Sequence, residues 1–213
     1  MKYNEFREQV KNYPFFRSNI FNHLTSKPNL LRRQMVDWVK RGLVVVLKRG
    51  VYTLNAADRA RGLSPYFLAN NLYSPSYVSL ESAMSYYGFI PEKVSLITSV
   101  TTKKTQEFRN KIGDFKYHHV KSSLFDYFVT VQDEFGNNFY LATPEKALVD
   151  FMYIRMLKLP KIDDDIFVVS YRLQNLEKLD VKTLKMIAAL YASEKINYLV
   201  KLLIKEKNHA RIN

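Results

Sequence analysis

Asn29, Arg32, Arg33, Gln34 and Lys40 lie close together in the chain and carry side chains that can read or hold a nucleic acid. Arg pairs with O6 and N7 of guanine, Asn or Gln pairs with N6 and N7 of adenine, and Lys holds phosphate. On a helix, the spacing i, i+4, i+7 and i+11 sets Asn29, Arg33, Val36 and Lys40 on one side, with Arg32 and Gln34 flanking it near the N-terminal end. Such a face suits a recognition helix, whose N-terminal half enters the major groove. An ordinary solvated helix carries the same residue types, so these positions alone do not choose between the two. Lys48 and Arg49 tip the balance. With Gly50 they separate two β-branched runs, residues 43–47 and 51–54, which predicts a hairpin with two cations at its tip. Cations placed there would touch the phosphate backbone or the minor groove, a contact that positions the protein but carries little sequence information.

The elements that must hold these groups follow from the surrounding pattern. Residues 4–11 read as a short helix closed by Tyr13 and Pro14. A second begins near Ser18, turns Ile20, Phe21 and Leu24 inward and ends at residues 25–28. The third spans residues 29–41, with Leu31, Met35, Trp38 and Val39 as its buried stripe and Gly42 as its stop. Three helices followed by a hairpin is the order of a winged helix-turn-helix, expected here over residues 1–60.

The charge is distributed to match. Of the formal net +13, residues 1–62 hold +9, from 13 Lys and Arg against Glu5, Glu8, Asp37 and Asp58. Positive charge concentrated in this way attracts a polyanion through counterion release, which makes nucleic acid the expected partner and, with the winged helix, double-stranded DNA. The absence of Cys excludes disulfides, thiolate metal sites and a cysteine nucleophile, and suits a reducing compartment. No signal-peptide pattern follows Met1, and no apolar run approaches the ~18 residues of a membrane span. A cytoplasmic protein without a membrane partner is therefore expected.

Beyond a polar boundary at residues 55–63, a second α+β domain is expected over residues 63–213. Residues 65–72 and 79–87 read as helices, the latter with Ser79 as N-cap and Gly88 past its end. Residues 94–100, 115–120, 127–132 and 139–142 read as strands of a mostly antiparallel sheet. Thr143 caps a helix that starts with Pro144 and Glu145 and runs to about Met156. A connector then leads to a helical tail from about residue 163, over 166–176, 180–191 and 193–207. Enzyme chemistry finds little footing in this region. His118 and His119 would point to opposite faces of a strand, and His23 and His209 stand alone, so no metal site is expected. The six glycines are scattered singly, which excludes a phosphate loop. Asp114 and Lys116, with Glu81 upstream, have the acid-x-lysine form of Mg²⁺-dependent nucleases, but the second carboxylate such a site needs is not identifiable. Lys103, Lys104 and Arg109 read better as a cationic patch, for nucleic acid or as solvated strand ends. Glu81, Glu145 and Asp150 are accounted for as caps and helix–sheet polar contacts. No catalytic residue and no cofactor are expected.

Four stretches together carry a resemblance. They are VDWVKRGLVVVLKRGVYTL from Val36, YVSLESAMSYYGFIPEKV from Tyr77, ITSVTTKKTQEFRNKIGDFKYHHVK from Ile97 and YLATPEKALVDFMY from Tyr140. In this order they resemble the AbiEi family, the antitoxins of type IV toxin–antitoxin and phage-defence pairs. The resemblance implies a winged helix that binds inverted repeats in its own promoter and represses the operon. It also implies a second domain that counteracts a nucleotidyltransferase-like toxin without a stable complex. No motif of the family is recognised in the tail. An orphan winged-helix regulator without a toxin is the alternative, and a Mg²⁺-dependent nuclease using Asp114 and Lys116 a further one.

Overall fold

Apolar spacing and chain breakers organise the first part of the protein. In the computed structural model, which describes residues 1–209, α1 (Tyr3–Val10) turns Phe6 and Val10 inward. A 3₁₀ turn then leads into α2 (Phe21–Leu24). Helix α3 (Pro28–Lys40) opens on Pro28, whose missing N–H is harmless in a first turn, and buries Leu31, Met35 and Trp38. Strands β1 (Phe16–Arg17), β2 (Val44–Lys48) and β3 (Val51–Leu54) form an antiparallel sheet in the order β1-β3-β2. The turn joining β2 to β3 requires a positive φ, supplied by Gly50 at +76°. Phe6 lies at the centre of the small core that results, edge-on to Phe16 at 5.4 Å and tilted against Trp38 at 5.0 Å.

The second part is built on a six-stranded sheet. It comprises β4 (Ser76–Val78), β5 (Leu96–Thr101), β6 (Gln106–Asn110), β7 (Gly113–His119), β8 (Phe128–Gln132) and β9 (Asn138–Ala142), in the order β6-β7-β5-β4-β9-β8. The pairing is more mixed than expected. β7 runs parallel to β5, and β4 parallel to β9, while the other three junctions are antiparallel. Around it lie α4 (Pro65–Leu72), α5 (Leu80–Tyr86), α6 (Pro144–Phe151), α7 (Ile166–Val169), α8 (Val181–Ala189) and α9 (Glu194–His209). Thr143 caps α6 by accepting the N–H of Lys146, and the helix widens into a π-turn over Met152–Met156. Ser79 precedes α5, but its hydroxyl makes no cap bond and donates to Asp150 instead. The tail is less helical than its pattern suggests. Expected helix 166–176 stops at Val169, because Arg172 and Asn175 take positive φ and the Asn175 amide donates to the Gly88 carbonyl at 2.6 Å.

The hairpin is shared between two cores. Val44 and Leu54 face the small core, whereas Leu47 and Val51 belong to the large one. A register shift between Val46 and Lys48 allows this change of side within one strand. Asn110 of β6 then donates its Nδ2 to the Leu47 carbonyl at 3.0 Å, tying the hairpin to the larger sheet. The polar boundary is tied down as well: the Ala60 N–H donates to Lys11, and Gly62 sits so close to Phe135 that a Cβ would fall 2.1 Å from the ring.

Candidate nucleic-acid interface

The outward side of α3 carries Asn29, Arg33, Val36 and Lys40, all exposed, with Val36 57% exposed. Arg32 lies beside them and is held by neighbours: it donates to Asn29 Oδ1 at 2.9 Å and to Asn22 Oδ1 of α2 at 3.4 Å. This link sets the angle of the guanidinium and joins α2 to α3. Gln34 is a correction. It turns toward the interior, with its Oε1 buried and without a hydrogen-bond partner, so it is not part of the outward face. The helical wheel explains this, since position 34 adjoins the buried stripe of Leu31, Met35 and Trp38 rather than the solvent side. Between α3 and the hairpin runs a groove walled by Arg32, Val36, Lys40, Val46 and Tyr52.

The hairpin tip is also corrected. Arg49 is exposed, but the Lys48 ammonium turns back onto the second part of the chain. It donates to the Leu72 carbonyl at the C-terminal end of α4 and lies 5.6 Å over the Phe108 ring. A helix C-terminus and an aromatic face both attract a cation, which accounts for the pull. Burial lowers the Lys48 pKa first, and the nearby charges of Arg17 and Lys103 lower it further. Nothing in the sequence singles out Arg17, because the two-residue strand that sets it beside the tip is too short to show a pattern.

The cationic patch divides. Lys103 donates to the Ser74 carbonyl at 2.5 Å and lies 5.5 Å over Tyr73, and Lys104 follows it in an open cleft with His119. Arg109 lies on β6, outside that cleft, and faces Asp114 across the strand pair at 4.0 Å. Lys116 pairs with Glu107 at 2.6 Å. Asp114 and Lys116 are therefore members of cross-strand ion pairs, the sheet counterpart of solvated charge alternation. Among the described residues no group of three His, Cys, Asp or Glu could hold a metal ion.

Two further ion pairs hold the second part of the chain, one half-buried and one in the interior. Glu81 takes both Nε and Nη2 of Arg155, at 2.7 and 3.2 Å, beside a cavity of about 350 Å³ under the π-turn. His118 is close to this pair. Burial and then the Arg155 charge push its pKa down to about 4, so it is neutral, and its Nε2 is buried without a partner. Deeper still, Lys146 and Asp150 are 1% and 0% exposed and 2.8 Å apart. Lys146 also donates to the Leu124 carbonyl and to Tyr191, and Asp150 accepts from Tyr77, Ser79 and Tyr191. Every donor of the ammonium is used, which is the condition for tolerating a buried ion pair. Glu145 accepts the N–H of Asp180 at 2.8 Å, a tie between α6 and the start of α8.

The acids near α3 are already engaged. Glu8 pairs with Arg7 and Lys11, Asp58 with Arg7 and Tyr3, and Asp37 with Arg41. Among the described residues Arg17, Arg32, Arg33, Lys40, Arg49, Lys103 and Lys104 have no carboxylate partner, and their charge is left for something else. No helix among the described residues is long and apolar enough to cross a membrane. No protein-family model matches the chain, and no curated protein matches it.

Proposed function

We propose that this chain is a DNA-binding transcriptional autorepressor that contacts its own promoter through a winged helix-turn-helix formed by residues 1–60. The carrying observation is the outward face of α3, where Asn29, Arg33, Val36 and Lys40 stand exposed and unneutralised beside Arg32. In this reading Arg33 and Asn29 read base edges in the major groove, Val36 meets a thymine methyl, and Lys40 holds phosphate. Arg49 and Arg17 take the phosphate contacts at the hairpin, since Lys48 is occupied. The resemblance to the AbiEi antitoxins extends the proposal: the repressor is cytoplasmic, and residues 63–213 counteract a nucleotidyltransferase-like toxin without a stable complex.

The DNA half is tested by gel shift on the promoter fragment. Arg33→Ala weakens specific binding by about 1–3 kcal/mol while leaving non-specific binding nearly intact. Wild-type shifts from Arg33→Ala and Asn29→Ala alike would remove α3 as the reading element. The antitoxin half is tested by co-expression with the adjacent gene: rescue of growth supports it, and a neighbour that is not nucleotidyltransferase-like leaves a regulator alone.

A further inference from the structure

Between the end of α4 and strands β4, β8 and β9 lies a cavity of about 230 Å³. Its walls are aromatic. Phe128 stacks on Tyr77 at 4.9 Å, meets Phe125 at 5.4 Å and stands edge-on to Tyr140 at 5.4 Å. Tyr77, which packs behind Phe125 and Phe128, is itself fixed by its hydrogen bond to Asp150, so these aromatic walls are backed by the buried ion pair. Two polar side chains line this space without a hydrogen-bond partner: the Asn70 amide at Nδ2 and the Ser76 hydroxyl. Both residues are more than nine-tenths buried, at 8% and 4% exposure. The amide orientation of Asn70 is set by its neighbour, because Oδ1 accepts the Tyr140 N–H at 2.5 Å and Nδ2 is left to donate elsewhere. Buried polar groups without partners are uncommon, and two lining one aromatic cavity, an amide donor and a hydroxyl that can accept, point to a ligand. Lys103, from the neighbouring cleft, donates to the carbonyl of Ser74, itself a wall residue.

We propose that this cavity binds the base of a nucleotide. The ring stacks on the aromatic walls, an acceptor of the base meets Asn70 Nδ2, and Ser76 supplies the second hydrogen bond. The phosphate lies toward Lys103. Aromatic faces hold any base, and the two polar groups select its edge. Uracil fits this pair, since O4 accepts and the adjacent N3–H donates. The ligand is either a free nucleotide or an unpaired residue of a single strand, which present the same chemistry. None of these residues lies on α3 or the hairpin, so the inference stands apart from operator binding.

The test is calorimetric titration of the full chain with UMP, uridine, ribose 5-phosphate and a short single-stranded oligouridylate. UMP should bind, uridine more weakly, and ribose 5-phosphate not measurably. Ser76→Ala and Asn70→Asp should each weaken UMP about tenfold or more. Lys103→Gln should weaken UMP and leave uridine unchanged. Tighter binding of the oligouridylate assigns the site to a strand, and equal binding assigns it to the free nucleotide. Ser76→Ala, which removes one oxygen from a buried site, and Tyr140→Ala, at a half-exposed one, keep the test valid if Asn70→Asp does not fold. The proposal is overturned if neither UMP nor the oligouridylate binds below about 1 mM. It is equally overturned if Ser76→Ala and Tyr140→Ala leave binding unchanged, which would assign the two polar groups to ordered water.

Discussion

Lys146 and Asp150 show how a single pair can be indispensable without adding net stability. The attraction between them offsets the desolvation of two charges only because Tyr77, Ser79, Tyr191 and the Leu124 carbonyl complete the set. Lys146→Met alone strands a buried carboxylate and should lower unfolding free energy by about 3–5 kcal/mol in urea melts. Lys146→Met combined with Asp150→Leu should recover much of that loss; a double variant as unstable as the single one would refute the account. His118 behaves differently because it is buried neutral. Its folded pKa of about 4 lies below the ordinary imidazole value of 6.5, so the unfolded chain takes up a proton that the folded chain refuses. The stability it contributes is present above about pH 6.5 and is lost as pH falls toward about 4. His118→Gln should therefore flatten the decline in stability between pH 7 and pH 5, measured by urea melts at each pH.

At the scale of elements, the hairpin is the most informative piece. Its existence was legible from the β-branched runs on either side of Lys48-Arg49-Gly50, because turn chemistry is local. Its surroundings were not, because period-2 alternation says that a strand has two faces but not that both are covered. The same limit explains Gln34, where a polar residue beside a buried stripe could face either way, and β6, whose alternating charges hid a strand. The buried partners Tyr77, Asp150 and Tyr191 come from segments far apart in the chain, and no local spacing joins them. Helix α3 and its outward face were readable, since amphipathic spacing needs only one helix. The hairpin geometry yields a contrast between adjacent residues. Arg49→Ala should reduce the slope of log binding constant against log salt by about one contact, whereas Lys48→Ala should leave that slope unchanged and loosen the hairpin from Phe108. Filter binding across a salt series would separate the two.

For the molecule as a whole, the two cores are welded through one strand pair. Leu47 packs in the large core while Val44, three residues earlier, packs in the small one. Leu47→Ala should cost about 2–5 kcal/mol and lower the unfolding of both parts together. Fluorescence of Trp38, which lies in the small core, should then lose its signal at the same urea concentration as far-UV circular dichroism. Two separate transitions would show that the cores are independent. The shared hairpin also bears on how this protein can be dissected in the laboratory. Cutting the chain near residue 60, the natural choice for isolating a DNA-binding module, would bare the side of the hairpin that carries Val45, Leu47 and Val51. The fragment would present an apolar strand edge to solvent and associate with copies of itself. Footprints or structures obtained with such a fragment would report on an aggregate-prone species, and polar replacements at Leu47 and Val51 would be the prerequisite for a usable one.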